Sequence, residues 1–252
     1  MAKILRTNSA FIPAGSELLA NFHLPLYFNK PQAASVKNYK PPVEFPEIIW
    51  PEKSARKLKT MPKAPTFFPP EKPRTMRRMI YLMRGPELVQ NFLIHKQYGI
   101  QAVTGGRMKV CHFDFLQKAF NKILNKNTFA VWRVDEPWQA MSKKGSSKKM
   151  GGGKAPIHHY VTPVKAGRII LEFGGIMHPQ EVWTRVAPLA ENLPFPARFV
   201  SQELLEKEAE EEKRLEKANL NKYTMKYVIL NNLGGCNNWL SPFDYLWFGK
   251  YR

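Results

Sequence analysis

The chain has 252 residues, 44% of them hydrophobic, and a formal net charge of +19, so it can build a core and is not a wholly disordered polycation. A charge of this size on a foldable chain predicts an anionic partner, most often nucleic acid and next an anionic membrane surface. Two distant cysteines, Cys111 and Cys236, have no CxxC spacing and predict no disulfide framework, and no apolar run reaches the roughly 18 residues of a membrane span.

The first thirty residues allow two interpretations. Residues 1–16 contain Lys3 and Arg6, several hydroxyl residues and no acid. Basic residues interspersed with apolar and hydroxyl residues are typical of organelle transit peptides, which would make residues 1–30 an organelle targeting segment. An ordinary flexible terminus is the alternative, and this segment alone does not decide between the two.

Residues 31–73 are rich in proline and hold ten of the chain's 21 prolines. Pairs such as Pro41-Pro42 and Pro69-Pro70 disfavour helices and sheet ladders. Lysines and arginines lie between the prolines, which predicts an extended basic arm without a core of its own. Aromatic residues favour an arm that lies on a surface over a disordered linker, namely Tyr39, Phe45, Trp50, Phe67 and Phe68.

A compact region is expected from residue 74 to residue 200. Its first half predicts strands at 88–94 and 98–103, a turn at Gly105-Gly106-Arg107, a helix at 112–125 and a strand at 128–134. The helix is indicated by apolar residues that recur on one helical face, namely Phe113, Leu116, Phe120, Ile123 and Leu124.

The second half of the compact region follows a long loop. Residues 157–164 and 168–173 predict a hairpin that turns at Ala166-Gly167. A helix is predicted at 179–192, which Pro188 must kink or interrupt, and a closing strand at 195–200. This order predicts an α+β domain, in which two helices pack on a largely antiparallel sheet in a sandwich-like arrangement.

Residues 201–252 predict a polar helix and an aromatic tail. From Glu203 to Lys217 there are seven acids and four bases, a net charge of −3, and spaced pairs such as Glu203 and Lys207 support a helix over 203–220. Because the rest of the chain is strongly basic, this helix is expected to face away from a polyanion. The tail from Tyr223 is aromatic and apolar, so it is expected to pack on the domain or on a partner.

The segment most indicative of function is residues 143–154, which we call the Gly/Lys loop. It holds five lysines, four glycines and no acid. Glycine lets a backbone approach another molecule closely and lysine supplies positive charge, so the expected partner is a polyanion. A nucleotide-binding P-loop is excluded, because Gly153-Lys154 is followed by Ala155-Pro156 where that motif needs serine or threonine.

The sequence indicates no catalytic or metal-binding constellation. His158 and His159 are neighbours on a predicted strand and should point to opposite faces, which disfavours a shared metal, although His158 could reach a phosphate. No Ser-His-Asp or Cys-His set is indicated, so neither an enzyme nor a cofactor is expected. Glu172 lies in an apolar strand and, if buried, needs a partner such as Arg133 or Arg168.

Arginines and lysines inside and outside the loop form a set of candidate phosphate ligands. Contacts of this kind position a protein on nucleic acid without reading its sequence. The candidates for RNA binding are Arg74, Arg77, Arg78, Arg84, Arg107, Lys143, Lys144, Lys148, Lys149, Lys154, Lys165 and Arg168.

Several stretches resemble one known family. Residues 98–103 (YGIQAV) with Arg107 resemble its aromatic-Gly-Leu-x-Ala-Val segment, and residues 149–154 (KMGGGK) resemble its Arg-Met-Gly-x-Gly-Lys loop. Residues 159–168 (HYVTPVKAGR) are close to the strand and hairpin of animal mitochondrial members, and residues 193–200 resemble the end of the domain. Over residues 74–200 the chain therefore resembles the universal ribosomal protein L-sixteen family of the large subunit, in its animal mitochondrial branch.

The resemblance implies a structural constituent of the mitochondrial large ribosomal subunit that binds ribosomal RNA and supports mitochondrial translation. It implies that the Gly/Lys loop lies near the tRNA accommodation and peptidyl-transferase region and contacts tRNA transiently. The tip residues are then Lys149, Met150, Gly151, Gly153 and Lys154. Residues 1–73 and 201–252 would be organelle-specific extensions that contact neighbouring mitochondrial ribosomal proteins. An RNA-binding ribosome assembly factor is the first alternative, and an enzyme of phosphate chemistry is the second.

Two positions depart from the family pattern. Lys149 stands where the family usually has arginine, which keeps the charge but loses the planar fork that binds phosphate at two points. Ala155-Pro156 replaces the glycine after the loop lysine, and a residue before proline has restricted backbone angles. We therefore expect a stiffer exit from the loop.

Overall fold

The computed structural model describes residue 45, residues 47–149 and residues 151–251. Every described residue belongs to the compact unit Phe45–Arg252. The predicted targeting segment, the first part of the arm and Met150 lie outside the described residues. Within the described ranges, no helix combines the length and the apolar character that a membrane crossing requires.

Two antiparallel sheets form the frame of the fold. The strands are β1 (Tyr98–Ala102), β2 (Gly106–Lys109), β3 (Thr128–Trp132), β4 (Gln139–Ser142), β5 (Ile157–Val164), β6 (Ile169–Gly175) and β7 (Ala197–Ser201). Four strands are ordered β3-β6-β1-β7 in one sheet, and three are ordered β2-β5-β4 in the other. All seven residues of β6 are buried, as an apolar strand between two neighbours should be.

In the described residues, five α-helices accompany the sheets, namely α1 (Val110–Ile123), α2 (Pro179–Glu191), α3 (Gln202–Ala218), α4 (Met225–Leu230) and α5 (Pro242–Trp247). The amphipathic helix α1 buries Phe113, Leu116 and Phe120 on one face. Helix α2 buries Val182, Val186 and Ala190 in the same way. Both contribute to one main core together with residues of both sheets, so the predicted α+β class with two helices on antiparallel strands is confirmed.

The predicted hairpin of residues 157–164 and 168–173 is wrong. Strand β5 pairs with β2 and β4, whereas β6 pairs with β1 and β3. The four residues between them lead the chain from one sheet to the other. At the crossing, Gly167 has a φ of +87°, and its N–H donates to the Ala102 carbonyl at 2.8 Å. A short glycine-containing connection usually joins paired strands, which is why the sequence favoured a hairpin.

The predicted strand at residues 88–94 is also wrong. Leu88 is 74% exposed and Val89 is 70% exposed, so this apolar run does not build a sheet. Its backbone is instead bound by a side chain, because the carboxylate of Glu172 accepts hydrogen bonds from the N–H groups of Ile94 and His95, each at 3.0 Å. Leu93 alone among the apolar residues of this run is buried.

Three smaller differences concern element boundaries. The sequence predicts a turn at Gly105-Gly106-Arg107, but β2 begins at Gly106, where any larger residue would meet the Phe195 ring. Strand β4 was not predicted. Pro188 lies inside α2 without interrupting it. Because proline removes only its own N–H, the helix can continue where neighbouring contacts hold it.

The described part of the arm lies on the domain, as its aromatic residues predicted. Leu58 and Met61 are buried in the main core. The carbonyl of Arg56 accepts from the N–H of Ala130 at 3.0 Å, and the carbonyl of Lys59 accepts from Trp132 Nε1 at 2.9 Å. Both donors belong to β3, so the arm covers the outer edge of the four-stranded sheet and satisfies groups that an edge strand leaves open.

Truncating Leu58 tests whether the arm belongs to the folded unit. Because this side chain is only 5% exposed, we expect Leu58→Ala to lower the free energy of unfolding by about 2–4 kcal/mol. Lys59→Ala is the matched control, since its side chain is exposed and its carbonyl is retained. Urea denaturation measures both, and equal stability of the two variants would contradict the packing of the arm.

The C-terminal residues lie on the domain through α3 and α5. Helix α3 is capped at its N-terminus by Ser201, whose Oγ accepts from the N–H of Leu204 at 3.3 Å, and the helix confirms the polar helix predicted at 203–220. The tail residue Trp247 packs against the bare backbone of Gly85, and Lys250 forms an ion pair with Glu212. Other tail residues stay exposed, including Trp239 and Leu246.

Candidate nucleic-acid interface

The Gly/Lys loop connects β4 to β5 and contains no strand or helix among its described residues. Lys143, Lys148, Lys149 and Lys154 are exposed, and Lys144 is half-buried. Gly151 has a φ of +97° and Gly153 a φ of +79°, both with open space around them. Side chains rarely adopt these backbone angles, so glycine is required here for conformation and not for lack of room.

The structure brings the loop against residues 74–78, the stretch that follows the arm. Lys154 Nζ donates a hydrogen bond to the carbonyl of Met76 at 2.9 Å. Arg107 in β2 donates from Nη2 to the carbonyl of Arg78 at 2.6 Å, and its Nε lies 3.4 Å from Gln139 Oε1. Residues 74–78 therefore contact both the end of the loop and strand β2. This stretch carries Arg74, Arg77 and Arg78, all of them exposed.

The charge at this convergence is not neutralised internally. Burial, and then repulsion from the Arg78 guanidinium, lowers the pKa of Arg107. Across the described ranges, no ion pair joins a carboxylate to Arg74, Arg77, Arg78, Arg107 or a lysine of the loop. Cations held close together without counter-charges attract an anion, and phosphate is the anion that several such groups bind together.

Three of the predicted phosphate ligands lie away from the place where residues 74–78, Arg107 and the loop meet. Arg168 is only 13% exposed and its guanidinium binds Asp135 at 3.2 Å, with Gln90 Oε1 at 3.0 Å. Arg84 is exposed and Lys165 is half-buried at the crossing from β5 to β6. In the part of the chain that the structure describes, none of the three bonds to the loop, to residues 74–78 or to Arg107. Arg168 mainly holds residues 87–90 and the end of β3 in place.

The two adjacent histidines are closer than strand geometry predicted. Their Nδ1 atoms lie 2.9 Å apart and their rings meet edge to face. The cause is an irregularity in pairing: Met141 faces His159 and Ser142 faces Ile157, so His158 is an extra residue in β5. Burial, followed by the charges of Lys109, His158 and Lys143, lowers the pKa of His159. Among the described residues no cluster of three or more metal-ligating side chains occurs.

Sequence reasoning missed two lysines near these histidines. Lys63 in the arm and Lys109 before α1 line one open cleft with His158 and His159. Lys63 and Lys109 are far from each other and from the two histidines in the chain, so no local motif marks them. Only the folding of the arm onto α1 and β5 brings them together.

The acidic helix lies on a different part of the domain. Glu208 of α3 pairs with Arg198 of β7 at 2.6 Å, and Glu212 pairs with Lys250 of the tail. Strand β7 is an edge strand of the four-stranded sheet, whereas the Gly/Lys loop leaves the three-stranded sheet. No acid of α3 forms an ion pair with the loop in the described ranges.

Comparison with known proteins gives one family. The family model described as Ribosomal protein L16p/L10e matches residues 70–200. The chain is 31% identical over 135 residues to the large ribosomal subunit protein uL16 of Aquifex aeolicus (strain VF5), which covers 53% of this chain and 93% of the bacterial protein. The span matched by the family model contains α1, α2, the Gly/Lys loop and residues 74–78, but not α3 or the aromatic tail.

Proposed function

Because the chain belongs to the Ribosomal protein L16p/L10e family, we propose that it is a constituent of the mitochondrial large ribosomal subunit that binds large-subunit ribosomal RNA. The family consists of structural ribosome components without enzymatic activity, so the prediction that the chain is not an enzyme is confirmed at the level of the family. The proposal goes further in naming the RNA, the organelle and the residues in contact.

The observation that supports RNA binding most is the convergence of residues 74–78, Arg107 and the Gly/Lys loop. Lys154 and Arg107 each bind a backbone carbonyl of residues 74–78, which fixes the arginines of that stretch relative to the loop. Each phosphate that such a group neutralises releases counterions and adds to affinity. Arg84, Lys165 and Arg168 have a smaller part in the proposal, and Arg168 supports the fold through its bond to Asp135.

The Gly/Lys loop is proposed to reach towards tRNA near the peptidyl-transferase region. Its lysines are exposed, and its glycines adopt angles that let the backbone approach a ligand closely. Lys149 is proposed to supply a point charge at the tip, beside Met150, Gly151 and Gly153. A lysine there binds one phosphate oxygen at a time, whereas an arginine fork binds two.

The mitochondrial assignment is supported by features outside the family match. The matched span ends before the acidic helix α3 and begins after most of the arm, so the extensions are additions to the bacterial type. Residues 1–16 have the basic, acid-free composition of a targeting segment. Exposed apolar side chains on the tail, such as Trp239 at 70% and Leu230 at 68%, are proposed to contact neighbouring mitochondrial ribosomal proteins.

Sedimentation of cell extracts tests this function. We expect the tagged full-length chain to be found in mitochondria and to sediment with the large subunit of their ribosomes through a wash at high salt. A ribosome assembly factor would leave mature particles and sediment with precursors. Co-sedimentation with cytosolic ribosomes alone would contradict the mitochondrial assignment while leaving RNA binding intact.

A further inference from the structure

We propose that the cleft between the arm, the start of α1 and the start of β5 is a second RNA-binding site, which takes phosphodiester groups of the RNA backbone. The inference rests on the proposed function, since it names a further part of the surface that meets ribosomal RNA. We call this cleft, lined by Lys63, Lys109, Asp114 and residues 157–160 among others, the arm cleft.

The arm cleft is positively charged. Lys63 and Lys109 are exposed and neither forms an ion pair within the described ranges. Lys143, at the base of the Gly/Lys loop, is close enough to lower the pKa of His159 together with Lys109. Asp114 is the single acid among the residues that line the cleft. An anion would therefore meet several cations and one opposing charge.

The polar groups of the cleft are suited to phosphate oxygens. The two Nδ1 atoms lie 2.9 Å apart, a distance at which one of them donates a hydrogen bond and the other accepts it. The ring that accepts at Nδ1 must then, when neutral, carry its own proton on Nε2. Burial and the nearby lysines lower the pKa of His159 and so favour its neutral form. The first turn of α1 contains no acid, and its N–H groups add a weak positive potential at the cleft.

The shape of the cleft favours a chain of phosphates over an isolated one. Tyr160 lines the arm cleft, and its ring lies 6.4 Å from that of Phe67. Phe67 lines a second cleft with two cations, Lys72 and Arg74, one acid, Glu71, and Met76, and the carbonyl of Met76 binds Lys154. Cations thus continue from the arm cleft past two aromatic rings to the Gly/Lys loop. A positively charged groove with aromatic side chains is the usual surface for a nucleic-acid strand.

Removing the two exposed lysines of the cleft tests the inference in the purified full-length chain. We expect Lys63→Gln with Lys109→Gln to weaken binding to a large-subunit ribosomal RNA transcript by about 25- to 60-fold near 0.1 M salt. This fold-change follows if each lost phosphate contact lowers the slope of log affinity against log salt by about 0.7–0.9. The matched control, Lys213→Gln with Lys222→Gln, removes the same charge on and just after α3 and should change affinity far less.

Lysine acetylation followed by mass spectrometry locates the contact independently. Bound RNA should protect Lys63 and Lys109 but leave Lys213 and Lys222 reactive. If the unaltered chain binds the transcript while neither affinity nor protection depends on Lys63 and Lys109, the arm cleft is not an RNA site and the proposed function stands. If the unaltered chain does not bind the transcript, both fail. Protection by millimolar inorganic phosphate but not by RNA would make the cleft a site for free anions and overturn the inference.

Discussion

Replacing Lys148, Lys149 and Lys154 by glutamine will lower the affinity for large-subunit ribosomal RNA by about 100- to 500-fold near 0.1 M salt. Three lost phosphate contacts reduce the slope of log affinity against log salt by about 2.1 to 2.7. At about 0.1 M salt, the loss in log affinity has the same size as this loss in slope, which gives the expected fold-change. The three side chains are exposed, so the change should not disturb the core. Titration of the RNA at several salt concentrations measures both quantities.

The control for this variant is a second triple substitution with the same loss of charge. Lys213, Lys217 and Lys222 lie on or just after the acidic helix α3 and are also exposed. Changing them to glutamine alters the net charge equally, so a general electrostatic effect would weaken both proteins alike. Equal slopes for the loop variant and the unaltered chain would show that the Gly/Lys loop does not bind RNA phosphates.

The second large effect concerns stability. We expect Glu172→Ala to lower the free energy of unfolding by about 3–5 kcal/mol, because it removes one partner of a buried ion pair. Glu172 is 1% exposed, its Oε1 lies 2.9 Å from Arg133 Nε, and it accepts from two backbone N–H groups. The substitution leaves a largely buried guanidinium and two donors without their acceptor.

An exposed ion pair supplies the comparison for Glu172. Glu181 pairs with Arg185 on α2 at 2.6 Å, with nearly half of each side chain in solvent. Glu181→Ala should cost less than about 1 kcal/mol, as solvent-exposed pairs do. Guanidinium denaturation of both variants distinguishes the two cases. A Glu172→Ala protein as stable as the Glu181→Ala protein would mean that the buried carboxylate contributes little.

Helices α1, α2 and α3 were predictable because their signals are local, whereas the short tail helices α4 and α5 were not predicted. The apolar spacing of Phe113, Leu116 and Phe120 repeats within a few turns, and α1 was placed within two residues of its observed ends. The partner of Glu172 was narrowed to two arginines by the rule that buried charges are paired, and Arg133 is the one found. Local pattern and a general energetic rule sufficed in these cases.

Strand pairing could not be predicted in the same way. Residues 157–164 and 169–175 are both good strands, but which partner each takes depends on distant residues, as in the pairing of Phe173 with Tyr98. Strand β6 is satisfied by β1 and β3, so β5 is left to pair with β2 and β4. The same limit applies to the candidate site. The loop was evident from its composition, while the contact of Lys154 with Met76 joins residues 78 positions apart.

Arg168 shows why charge alone does not assign a ligand. The sequence places it among cations beside a glycine turn, where it looks available to phosphate. In the structure its guanidinium lies near two carboxylates, Glu87 at 3.8 Å and Asp135 at 3.2 Å. Both lie far from it in the chain, so their approach follows from the fold and not from any spacing in the sequence.

The pairing of Ser142 with Ile157 sets a geometric limit on the Gly/Lys loop. These residues face each other on neighbouring strands, so the fourteen residues between them leave and re-enter the domain at one point. Half of that length, fully extended, spans about 25 Å. The bond from Lys154 to Met76 holds the returning limb, and releasing it would lengthen the free span from eleven residues to fourteen. Release of this bond would therefore let the Gly/Lys loop reach several ångströms further from the domain while both sheets stay in place.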